Sequence, residues 1–408
     1  MERAASREGR SFVAVIPTLS LKPREDDRIR AGHLWVFRNE LRAEPQGLQT
    51  GQIVRVTTSE GTSLGTGFYH STSNIAVRMV GGEVETIDEA FFEQRLRAAN
   101  ELRQRMLPAA TAYRMVFGEA DLMSGLIIDR YDDVCVVQML AAGMDIHRDM
   151  IVAAIRQVLP SVNGIIERNT ATVREKEGLE LRDGVLWGTV PPTVDIVENG
   201  ITYRIDVAGG QKTGYFLDQR TNRAWVGSVS AGKRVLDCFC NAGGFALNAA
   251  AGGAALALGV DSSAPAVEAA ARNAEINGFA NVQFEKANVF DLLRREADMG
   301  RTWDIIVLDP PSFAKSRSAV PRAQAGYAEL NRAAMRILAP GGILVSASCT
   351  QLVPEAMLMD IIYIEAARLR RRLRLLHRGE QGLDHPILLA MPETHYLKFL
   401  AFDVLSGG

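Results

Sequence analysis

Cysteine and histidine are scarce in this sequence of 408 residues, which contains four cysteines and six histidines. Four cysteines are too few to build a disulfide framework in a chain of this length. Cys238 and Cys240 are spaced C-x-C without a second ligand pair nearby, and the histidines also lack the spacing of metal ligands. We therefore predict reduced thiols and no metal site.

The sequence also lacks a long hydrophobic run and an excess of one charge. Its most apolar window, 249–260, is shorter than the roughly 20 residues that span a bilayer, and segment 1–17 has no apolar core of the kind found in signal peptides. The net charge is −2, so nucleic-acid binding would have to come from local basic patches. We expect a cytoplasmic globular protein with no membrane partner.

Three regions differ in their hydrophobic pattern. Residues 17–90 contain short alternating segments separated by Gly, Asn and Ser, which is typical of a small β-barrel. Helical spacing over 86–107 predicts a helix with Asp88 in its first turn, and residues 91–195 combine further strands and a helix in a small α+β domain. Residues 196–408 alternate strand-like and helix-like runs, which predicts a doubly wound parallel sheet.

Polar residues end three of the strands predicted in this last region, at the edge where ligands of doubly wound sheets bind. The stretch "VLDCFCNAGGF" places Asp237 and the pair Gly243 and Gly244 after the first strand, Asp261 ends the second, and Asn288 follows the third. Glycines let the backbone approach a ligand, an acid can accept hydrogen bonds from a ribose diol, and Asn288 is placed for an adenine edge. A strand and turn with an acid that caps a helix is the purely structural alternative.

The ligand that this pattern favours is S-adenosylmethionine. The loop lacks the G-x-G-x-x-G spacing that cradles a pyrophosphate, and Asp237 would repel phosphate. S-adenosylmethionine instead carries an ammonium and a sulfonium and no phosphate, which suits an acid at this position. A dinucleotide-dependent dehydrogenase is therefore disfavoured.

A rigid acidic turn follows the fourth predicted strand in "DIIVLDPPSF". Two proline rings fix its backbone, so Asp309 and nearby carbonyl groups can face the edge of a planar base, on which Phe313 would stack. A proline-rich loop without function is the alternative. We predict that Asp309 is catalytic and also contacts the cofactor, and that the rest of the turn binds substrate through Pro310, Pro311, Ser312, Phe313 and Lys315.

Cys349 ends the fifth predicted strand, beside the strand that leads to Asp309. A thiolate that adds to carbon 6 of cytosine makes carbon 5 able to accept a methyl group, and Asp309 would hydrogen-bond the N3/N4 edge. Methylation of an amino group needs no thiol, so Cys349 favours chemistry at carbon 5. The remaining cysteines fall in strands or early loops, where we expect structural roles: Cys135, Cys238 and Cys240.

With these segments assembled, the chain resembles the bacterial large-subunit rRNA cytosine-5 methyltransferases that carry an N-terminal PUA domain. The resemblance covers nearly the whole length, in family order, through "AGHLWVF", "GLIIDRY", "GQKTGYFLDQR", "DCFCNAGGF", "VDSS", "LDPPSFAKS", "SASCT" and "HPILLAMPETHYLK". It implies a C-terminal Rossmann-like class I methyltransferase domain, preceded by a PUA-like RNA-binding domain and a central α+β domain. It also implies S-adenosylmethionine as cofactor and rRNA as partner.

The resemblance implies further cofactor contacts, because in that family the linker motif "GQKTGYFLDQR" and the glycine loop close over the cofactor. Ser312 departs from the pattern of many RNA cytosine-5 methyltransferases, which have a second cysteine at this position to help release the product. The base for that step is thus open between Ser312, Lys315 and water. The implied cofactor contacts are Lys212, Tyr215, Phe216, Asp218, Arg220, Phe239, Gly243 and Ser262.

Candidate RNA contacts lie mainly in the N-terminal region. Arg28 and Arg30 would bind phosphate, with His33 beside them and Trp35 stacked on a base. A position in the barrel core is the alternative for Trp35 and Phe37. Basic side chains that follow the acidic turn would line the RNA path: Lys315, Arg317 and Arg322.

Several properties are not decided by these patterns. The arginine-rich run 367–378 is interpreted as a solvated helix face rather than an RNA site. Two rival functions are methylation of an exocyclic amine, such as guanine N2, and an RNA-binding assembly factor without catalysis. The oligomeric state is open, with a homodimer as one candidate.

Overall fold

The computed structural model describes residues 16–210 and 213–405, so the predictions for residues 1–15 and for Lys212 lie outside the described residues. The described strands form one sheet of seven strands, two of five and one of two. Among the described helices, none is both long and apolar enough to cross a membrane.

The N-terminal region forms a five-stranded sheet, because β-branched residues alternate with polar ones between short turns. Its elements are β1 (Thr18–Ser20), α1 (Asp27–Arg30), β2 (Trp35–Phe37), β3 (Ile53–Thr57), β4 (Ser63–Tyr69) and β5 (Ile75–Met79). The strands lie in the order β1-β3-β4-β5-β2. Alternate residues of the central strands, such as Val54 and Val56, enter a core that also holds Leu21 and Val77.

A second five-stranded sheet follows and shares its core with two longer helices. Its elements are α2 (Glu89–Met106), β6 (Ala112–Phe117), β7 (Leu126–Tyr131), β8 (Val134–Met139), α3 (Ala142–Asp145), α4 (Arg148–Val158), β9 (Gly164–Asn169), α5 (Val173–Lys176) and β10 (Arg182–Gly188). The strand order is β10-β9-β8-β7-β6. Helix α2 begins later than predicted, because Asp88 is its N-cap and accepts a hydrogen bond from Phe91 N at 2.9 Å.

A hairpin connects this sheet to the C-terminal region. It comprises β11 (Thr193–Glu198) and β12 (Ile201–Asp206). Its two-residue loop, Asn199 and Gly200, has φ angles of 54° and 77°. Positive φ at both positions is what a type I′ turn requires, and the Asn-Gly pair supplies it at low cost.

The C-terminal region forms the doubly wound sheet that the alternation of strands and helices predicts, so the predicted fold class is confirmed. Its elements are α6 (Arg220–Ser228), β13 (Arg234–Cys238), α7 (Gly244–Ala251), β14 (Leu256–Asp261), α8 (Ala264–Ile276), β15 (Val282–Lys286), α9 (Val289–Asp298), β16 (Trp303–Leu308), α10 (Val320–Arg336), β17 (Leu338–Ser348), α11 (Glu355–Arg368), β18 (Leu373–Gly379) and β19 (Lys398–Val404). The strand order is β15-β14-β13-β16-β17-β19-β18.

The direction of these strands determines where a ligand can bind. Strands β13 to β17 are parallel, whereas β19 runs antiparallel to both β17 and β18. The chain moves outward from β13 in one direction and from β16 in the other. The switch point therefore lies between β13 and β16, and a ligand is expected beyond their C-terminal ends.

The arginine-rich run 367–378 was predicted as a helix face, and this prediction is wrong for most of the run. Helix α11 ends at Arg368, and β18 forms the edge of the seven-stranded sheet, paired with β19. Arginine and leucine alternate through Arg372, Leu373, Arg374 and Leu375, which is the period of a strand. Hydrogen bonding to β19 stabilises this segment as a strand.

A buried arginine ties the central sheet to the C-terminal region. Arg103 on α2 is fully buried, and its Nη2 donates to Asp121 Oδ2 at 2.8 Å and to the carbonyl oxygen of Asp384 at 2.9 Å. The carboxylate of Asp384 in turn accepts a hydrogen bond from Arg114 N at 2.9 Å. These contacts fix the loop before β19 against β6.

Replacement of Arg103 should be strongly destabilising. Arg103→Met leaves Asp121 buried without its cation, and we expect the free energy of unfolding to fall by about 3–5 kcal/mol. Arg97→Met is the matched control, since Arg97 lies on the same helix in an exposed pair with Glu93 and should cost less than about 1 kcal/mol. Urea denaturation followed by circular dichroism measures both, and equal losses would contradict the assignment.

Candidate active site

Asp237, the acid predicted to meet the cofactor, lies in β13 and is fully buried. Its Oδ2 accepts a hydrogen bond from Ala246 N in the first turn of α7 at 2.9 Å, whereas Oδ1 has no hydrogen-bond partner among the described residues. Burial raises the pKa of Asp237 to about 7. A buried carboxylate oxygen without a partner fits the ammonium group of S-adenosylmethionine, which would compensate the cost of burying the charge.

The loop between β13 and α7 is held in an unusual backbone conformation. Phe239, Asn241 and Gly243 have φ angles of 67°, 47° and 84°, and non-glycine residues rarely adopt such values. A Cβ on Gly243 would lie 2.9 Å from Cζ of Phe284. Both the positive φ angle and the lack of space for a Cβ therefore require glycine at position 243. Phe239 is the first residue of the loop after β13.

Asp261 and its neighbours organise this loop from the adjacent strand. Asp261 Oδ2 accepts from Asn241 N at 3.0 Å and Oδ1 accepts from Ser263 N at 2.9 Å. Each carboxylate oxygen can accept a second hydrogen bond, so these contacts leave capacity for a ribose hydroxyl. Ser262 is exposed in the same turn.

Asn288 lies beyond β15, in the strand order that the sequence predicts. It is exposed and forms the N-cap of α9, where its Oδ1 accepts from Phe290 N at 2.9 Å. Capping commits the side-chain oxygen to the helix. Only the amide nitrogen of Asn288 then remains to meet the adenine edge for which the residue was predicted.

Tyr215 is buried in a polar cluster beneath the glycine loop. Its hydroxyl donates to Glu198 Oε1 at 3.1 Å, and the ring lies 4.3 Å from the guanidinium carbon of Arg223. Arg223 donates to the same carboxylate oxygen at 2.7 Å. A Cβ on Gly244 would lie 2.5 Å from Arg223 Nε, so this cluster supports the glycine loop from below.

The other described residues of the linker motif contact neighbouring segments. Arg220 is buried and donates to the carbonyl oxygen of Ala112 in β6. Asp218 Oδ2 accepts from the Tyr396 hydroxyl at 2.5 Å. Phe216 is half-buried, and its carbonyl oxygen accepts from Arg223 at 2.6 Å. These contacts join the linker motif to the central sheet and to the segment before β19, and the implied cofactor contacts stay predictions.

The acidic turn follows β16, directly beside β13 in the sheet. Asp309 is half-buried and its Oδ2 accepts from Gln219 Nε2 at 3.1 Å. Pro310 is buried, and Pro311 is exposed. Asp309 therefore lies at the same sheet edge as Asp237, as the parallel strands require.

The end of the acidic turn is joined to the segment that carries Cys349. Ser312 Oγ accepts from Thr350 Oγ1 at 3.3 Å, so Ser312 lies beside the residue that follows Cys349. The Phe313 ring packs against Tyr327 with ring centroids 4.8 Å apart, and its predicted stacking on a base stays a prediction. Lys315 is exposed.

Cys349 lines a cavity of about 360 Å³, to which the N-terminal sheet, the central region and segments beside the seven-stranded sheet all contribute residues. Trp35 belongs to the N-terminal sheet, Phe117 and Glu119 to the central region, and Tyr396 to the segment before β19. A volume of this size falls within the range of small-molecule sites. The cavity can accept one planar base next to the thiol.

The four cysteines occupy different environments. Cys349 is half-buried at the cavity, whereas the other three are buried. Burial raises the pKa of Cys135 to about 12 and holds those of Cys238 and Cys240 well above the usual value. Since the thiolate is the nucleophile, only Cys349 combines access with a position at the sheet edge.

Trp35 is half-buried at the cavity wall. It packs against the core of the N-terminal sheet on one side and lines the cavity on the other. Its Nε1 donates to Glu119 Oε1 at 2.9 Å, and Ser124 Oγ donates to the same oxygen at 2.6 Å. Arg78 Nη1 lies 3.5 Å from that oxygen. Trp35 is therefore held in a fixed orientation by the central region.

The other predicted RNA contacts of the N-terminal region differ in exposure. His33 is buried, accepts from Trp35 N through Nδ1 at 3.1 Å and lies 3.7 Å from Glu393 Oε2. This arrangement makes His33 a link to the C-terminal region. Arg30 is exposed and pairs with Asp26 at 2.5 Å, and its contact with phosphate stays a prediction.

Three polar residues near the site were missed by sequence reasoning. Gln219 lies inside the linker motif, and that motif was the available signal. Glu119 lines the cavity from the central region, and no local sequence pattern indicates this position. Lys398 donates to the carbonyl oxygen of Thr350 at 2.8 Å, and only the pairing of β19 with β17 reveals it.

Comparison with known proteins agrees with this geometry. The family described as S-adenosylmethionine-dependent methyltransferase matches residues 183–399, and the PUA-like domain family matches residues 19–81. Ribosomal RNA large subunit methyltransferase I of Photobacterium profundum is 40% identical over 91% of this chain and 96% of its own length. The protein of the same name from Aeromonas hydrophila is 39% identical over 93% and 97%.

Solved structures share the fold. A methyltransferase crystallised with S-adenosylhomocysteine gives a TM-score of 0.84 at 24% identity and covers 95% of this chain and 100% of its own. An S-adenosylmethionine-dependent methyltransferase from Streptococcus mutans gives 0.81 at 24% identity with the same coverage. At this identity the likeness supports the fold alone.

The doubly wound sheet, the glycine loop with Asp237 and the PUA-like sheet define a class I methyltransferase that uses S-adenosylmethionine. The family resemblance and the cofactor predicted from the sequence are thereby confirmed. Identity of 40% over nine-tenths of the chain places the protein more closely. It belongs to the family of ribosomal RNA large subunit methyltransferase I.

Substitution of Asp237 should separate cofactor binding from folding. Asp237→Asn should weaken S-adenosylmethionine binding by about tenfold or more, because a hydrogen bond to a charged group contributes roughly 1.5–3 kcal/mol. The affinity of the wild-type protein should fall as the pH drops below about 7, where the carboxylate becomes protonated, and the variant should lose this dependence. Titration calorimetry across neutral pH measures both effects.

The stability of the same variant provides the control. Folding raises the pKa of Asp237, so the favourable contribution of this group to stability is present at low pH and is lost as the pH rises through about 7. Above that pH, Asp237→Asn should therefore melt no lower than the wild type. Asp298→Asn, at an exposed end of α9, should change neither property. Unchanged cofactor affinity in Asp237→Asn would refute the contact.

Proposed function

We propose that this protein transfers a methyl group from S-adenosylmethionine to carbon 5 of a cytosine in large-subunit rRNA. The observation that carries the proposal is the half-buried thiol of Cys349, which lines the cavity directly after β17, while Asp309 directly follows the neighbouring strand β16. The relatives are named for large-subunit ribosomal RNA, and a PUA-like domain suits structured RNA. A cytoplasmic location and a homodimer stay predictions.

The cofactor would lie beyond β13, β14 and β15. When bound, it supplies an electrophilic methyl group on a sulfonium. Asp237 would hold its ammonium, Asp261 its ribose and Asn288 its adenine edge, while Gly243 lets the backbone approach. Among the described residues, Oδ1 of Asp237 is buried and has no hydrogen-bond partner, which supports this orientation, because a cationic donor at that end of the sheet would stabilise the carboxylate.

The proposed reaction begins with covalent attack. Sγ of Cys349, as the thiolate, forms a bond to carbon 6 of the cytosine, and the electron pair of the 5,6 double bond moves toward carbon 5. Asp309 donates or accepts at the N3/N4 edge and stabilises the charge that develops on the ring. Carbon 5 would then accept the methyl group that the cofactor, held by Asp237 and Asp261, supplies, and the electron pair of the methyl–sulfonium bond would stay on sulfur.

Release of the product restores the base and the enzyme. A base removes the proton from carbon 5, the 5,6 double bond forms again, and the bond between Sγ and carbon 6 breaks with its electron pair returned to Cys349. Ser312, Lys315 and water remain the candidate bases. The contact between Ser312 and Thr350 supports a position for Ser312 near this step.

The cavity walls suit a single pyrimidine that has left its stack. Trp35 and Tyr396 offer aromatic surfaces for stacking, and base–aromatic stacking contributes roughly 1–3 kcal/mol per base. Glu119 is oriented by the indole of Trp35 and offers a carboxylate to a base amino group. The N-terminal sheet would thus help to build the pocket for the target base.

The rival functions give different products. Methylation of an exocyclic amine needs no thiol, whereas Cys349 is the one cysteine of the four that is not buried. An assembly factor without catalysis has no use for a thiol in this cavity. Both rivals are outcomes that the following experiment can return.

Removal of the thiol should abolish methylation. Cys349→Ala is expected to yield no 5-methylcytidine in a single turnover on unmodified large-subunit rRNA, as measured by nucleoside mass spectrometry. The wild type should also form a covalent complex with RNA that contains 5-fluorocytidine. Fluorine replaces the proton that a base must remove from carbon 5, so the enzyme cannot be released. Cys135→Ala is the matched control, since Cys135 is buried in the central sheet, and it should retain both activities.

Other results would overturn the proposal in distinct ways. Full methylation by Cys349→Ala would exclude the thiol mechanism. If the wild type yields a guanine methylated on its amino group, the first rival is established. If the wild type binds the cofactor but yields no methylated product, the second is established.

Trp35 should act on the RNA substrate without affecting the cofactor. Trp35→Ala should lower kcat/KM for rRNA by about tenfold or more, because one stacking surface is lost. Affinity for S-adenosylmethionine should not change. Trp187→Ala provides the control, since Trp187 lies on β10 and does not line the cavity. Equal effects of the two substitutions would exclude a specific role for Trp35.

A further inference from the structure

Lys398 is a buried lysine next to the proposed nucleophile. It begins β19, where its Cα pairs with that of Ser348 at the end of β17. The residue is 6% exposed, and Nζ donates to the carbonyl oxygens of Thr350 and Tyr396, each at 2.8 Å. Cys349 lies between Ser348 and Thr350 in the chain, so the ammonium is hydrogen-bonded to the residue that directly follows the thiol.

The anionic partner of Lys398 is not a carboxylate in the described part of the chain. Its two hydrogen bonds go to neutral carbonyl groups. Glu355, which faces Lys398 from the start of α11, is engaged by Arg378 at 3.0 Å. A buried ammonium without an anion is costly, so the arrangement calls for a negative charge nearby.

The remaining ionisable groups around Cys349 do not supply that charge. Tyr327 from α10 and Tyr396 both face Cys349, and burial raises the pKa of each phenol. Both are therefore neutral at physiological pH. Asp309, which follows the neighbouring strand β16, is a carboxylate held by Gln219 Nε2. The charges that raise the pKa of Lys398 come from Cys349 first and Glu355 second, so the Cys349 thiolate is the anion that Lys398 can meet.

We propose that Lys398 is a positioning residue that holds the counter-charge for the Cys349 thiolate. The inference rests on the proposed function, which gives this thiolate its role. On ionisation the thiol proton passes to water, and the negative sulfur is attracted to the buried ammonium in a medium of low dielectric constant. The same attraction stabilises the sulfur when its bond to carbon 6 breaks and the electron pair returns to it. Product release is thus assisted without a second cysteine.

The protonation of Lys398 is consistent with this role. Burial lowers the pKa of Lys398 to about 8, and the Cys349 thiolate opposes this lowering. The ammonium is therefore present at neutral pH and is lost as the pH rises through about 8. A purely structural role, in which Nζ only ties two carbonyl groups together, would leave the ionisation of Cys349 unchanged.

The test measures the ionisation of Cys349 without substrate. The rate of iodoacetamide alkylation of Cys349 is followed against pH by peptide mass spectrometry in the full-length protein. In Lys398→Met the pH of half-maximal rate should rise by about one unit, which corresponds to the loss of roughly 1.4 kcal/mol of charge interaction. Lys398→Arg keeps the charge and should shift much less. Lys286→Met, at the exposed end of β15, should behave as the wild type.

Each outcome decides the inference separately from the proposed function. An unchanged midpoint in folded Lys398→Met would overturn the counter-charge. If Lys398→Met does not fold, Lys398→Gln takes its place, with thermal melting as the check on folding. A shifted midpoint in a protein that forms no 5-methylcytidine would retain the Lys398–Cys349 pair and reject the proposed reaction. Methylation through Cys349 with an unchanged midpoint in Lys398→Met would retain the proposed reaction and reject the Lys398–Cys349 pair.

Discussion

Two backbone ladders on one strand determine the chemistry of this molecule. Strand β17 pairs in parallel with β16, where Leu308 lies opposite Ser346, and antiparallel with β19, where Lys398 lies opposite Ser348. The parallel ladder brings Asp309 and Cys349 to the same edge. In the antiparallel ladder, β19 begins at that same edge, which places Lys398 there. A slip of one residue in either register would turn the affected side chains to the opposite face of the sheet.

The cavity depends on contacts between segments far apart in the chain. Trp35 is oriented by Glu119, and His33 approaches Glu393. Arg103 joins α2 to the loop before β19 through the carbonyl oxygen of Asp384. Buried ion pairs contribute little net stability relative to apolar pairs of the same volume, although removal of one partner is costly. What they provide here is a fixed orientation of the N-terminal sheet against the edge that carries the thiol.

Local patterns were sufficient for much of the fold and for part of the site. Asp237, Asp261 and Cys349 could be placed because parallel strands end at a common edge, so position in the chain translates directly into position in space. Lys398 could not, since its neighbours come from an antiparallel ladder between segments about fifty residues apart. The strand β18 was misread for the same reason: its alternation gained meaning only from the partner β19.

Position rather than residue type decides what each cysteine and each acid can do. Cys238 is the last residue of β13 and remains inside the core, where burial raises its pKa, whereas Cys349 follows the last residue of β17 and reaches the cavity. Asp237 is buried, and one of its oxygens has no hydrogen-bond partner in the described part of the chain, which suits a cation that arrives with the cofactor. Asp309, one strand away, is half-buried and suits a polar base edge. The strand order β13-β16-β17 thus places the acid proposed to meet the methyl donor and the thiol proposed to meet the base on opposite sides of the acidic turn.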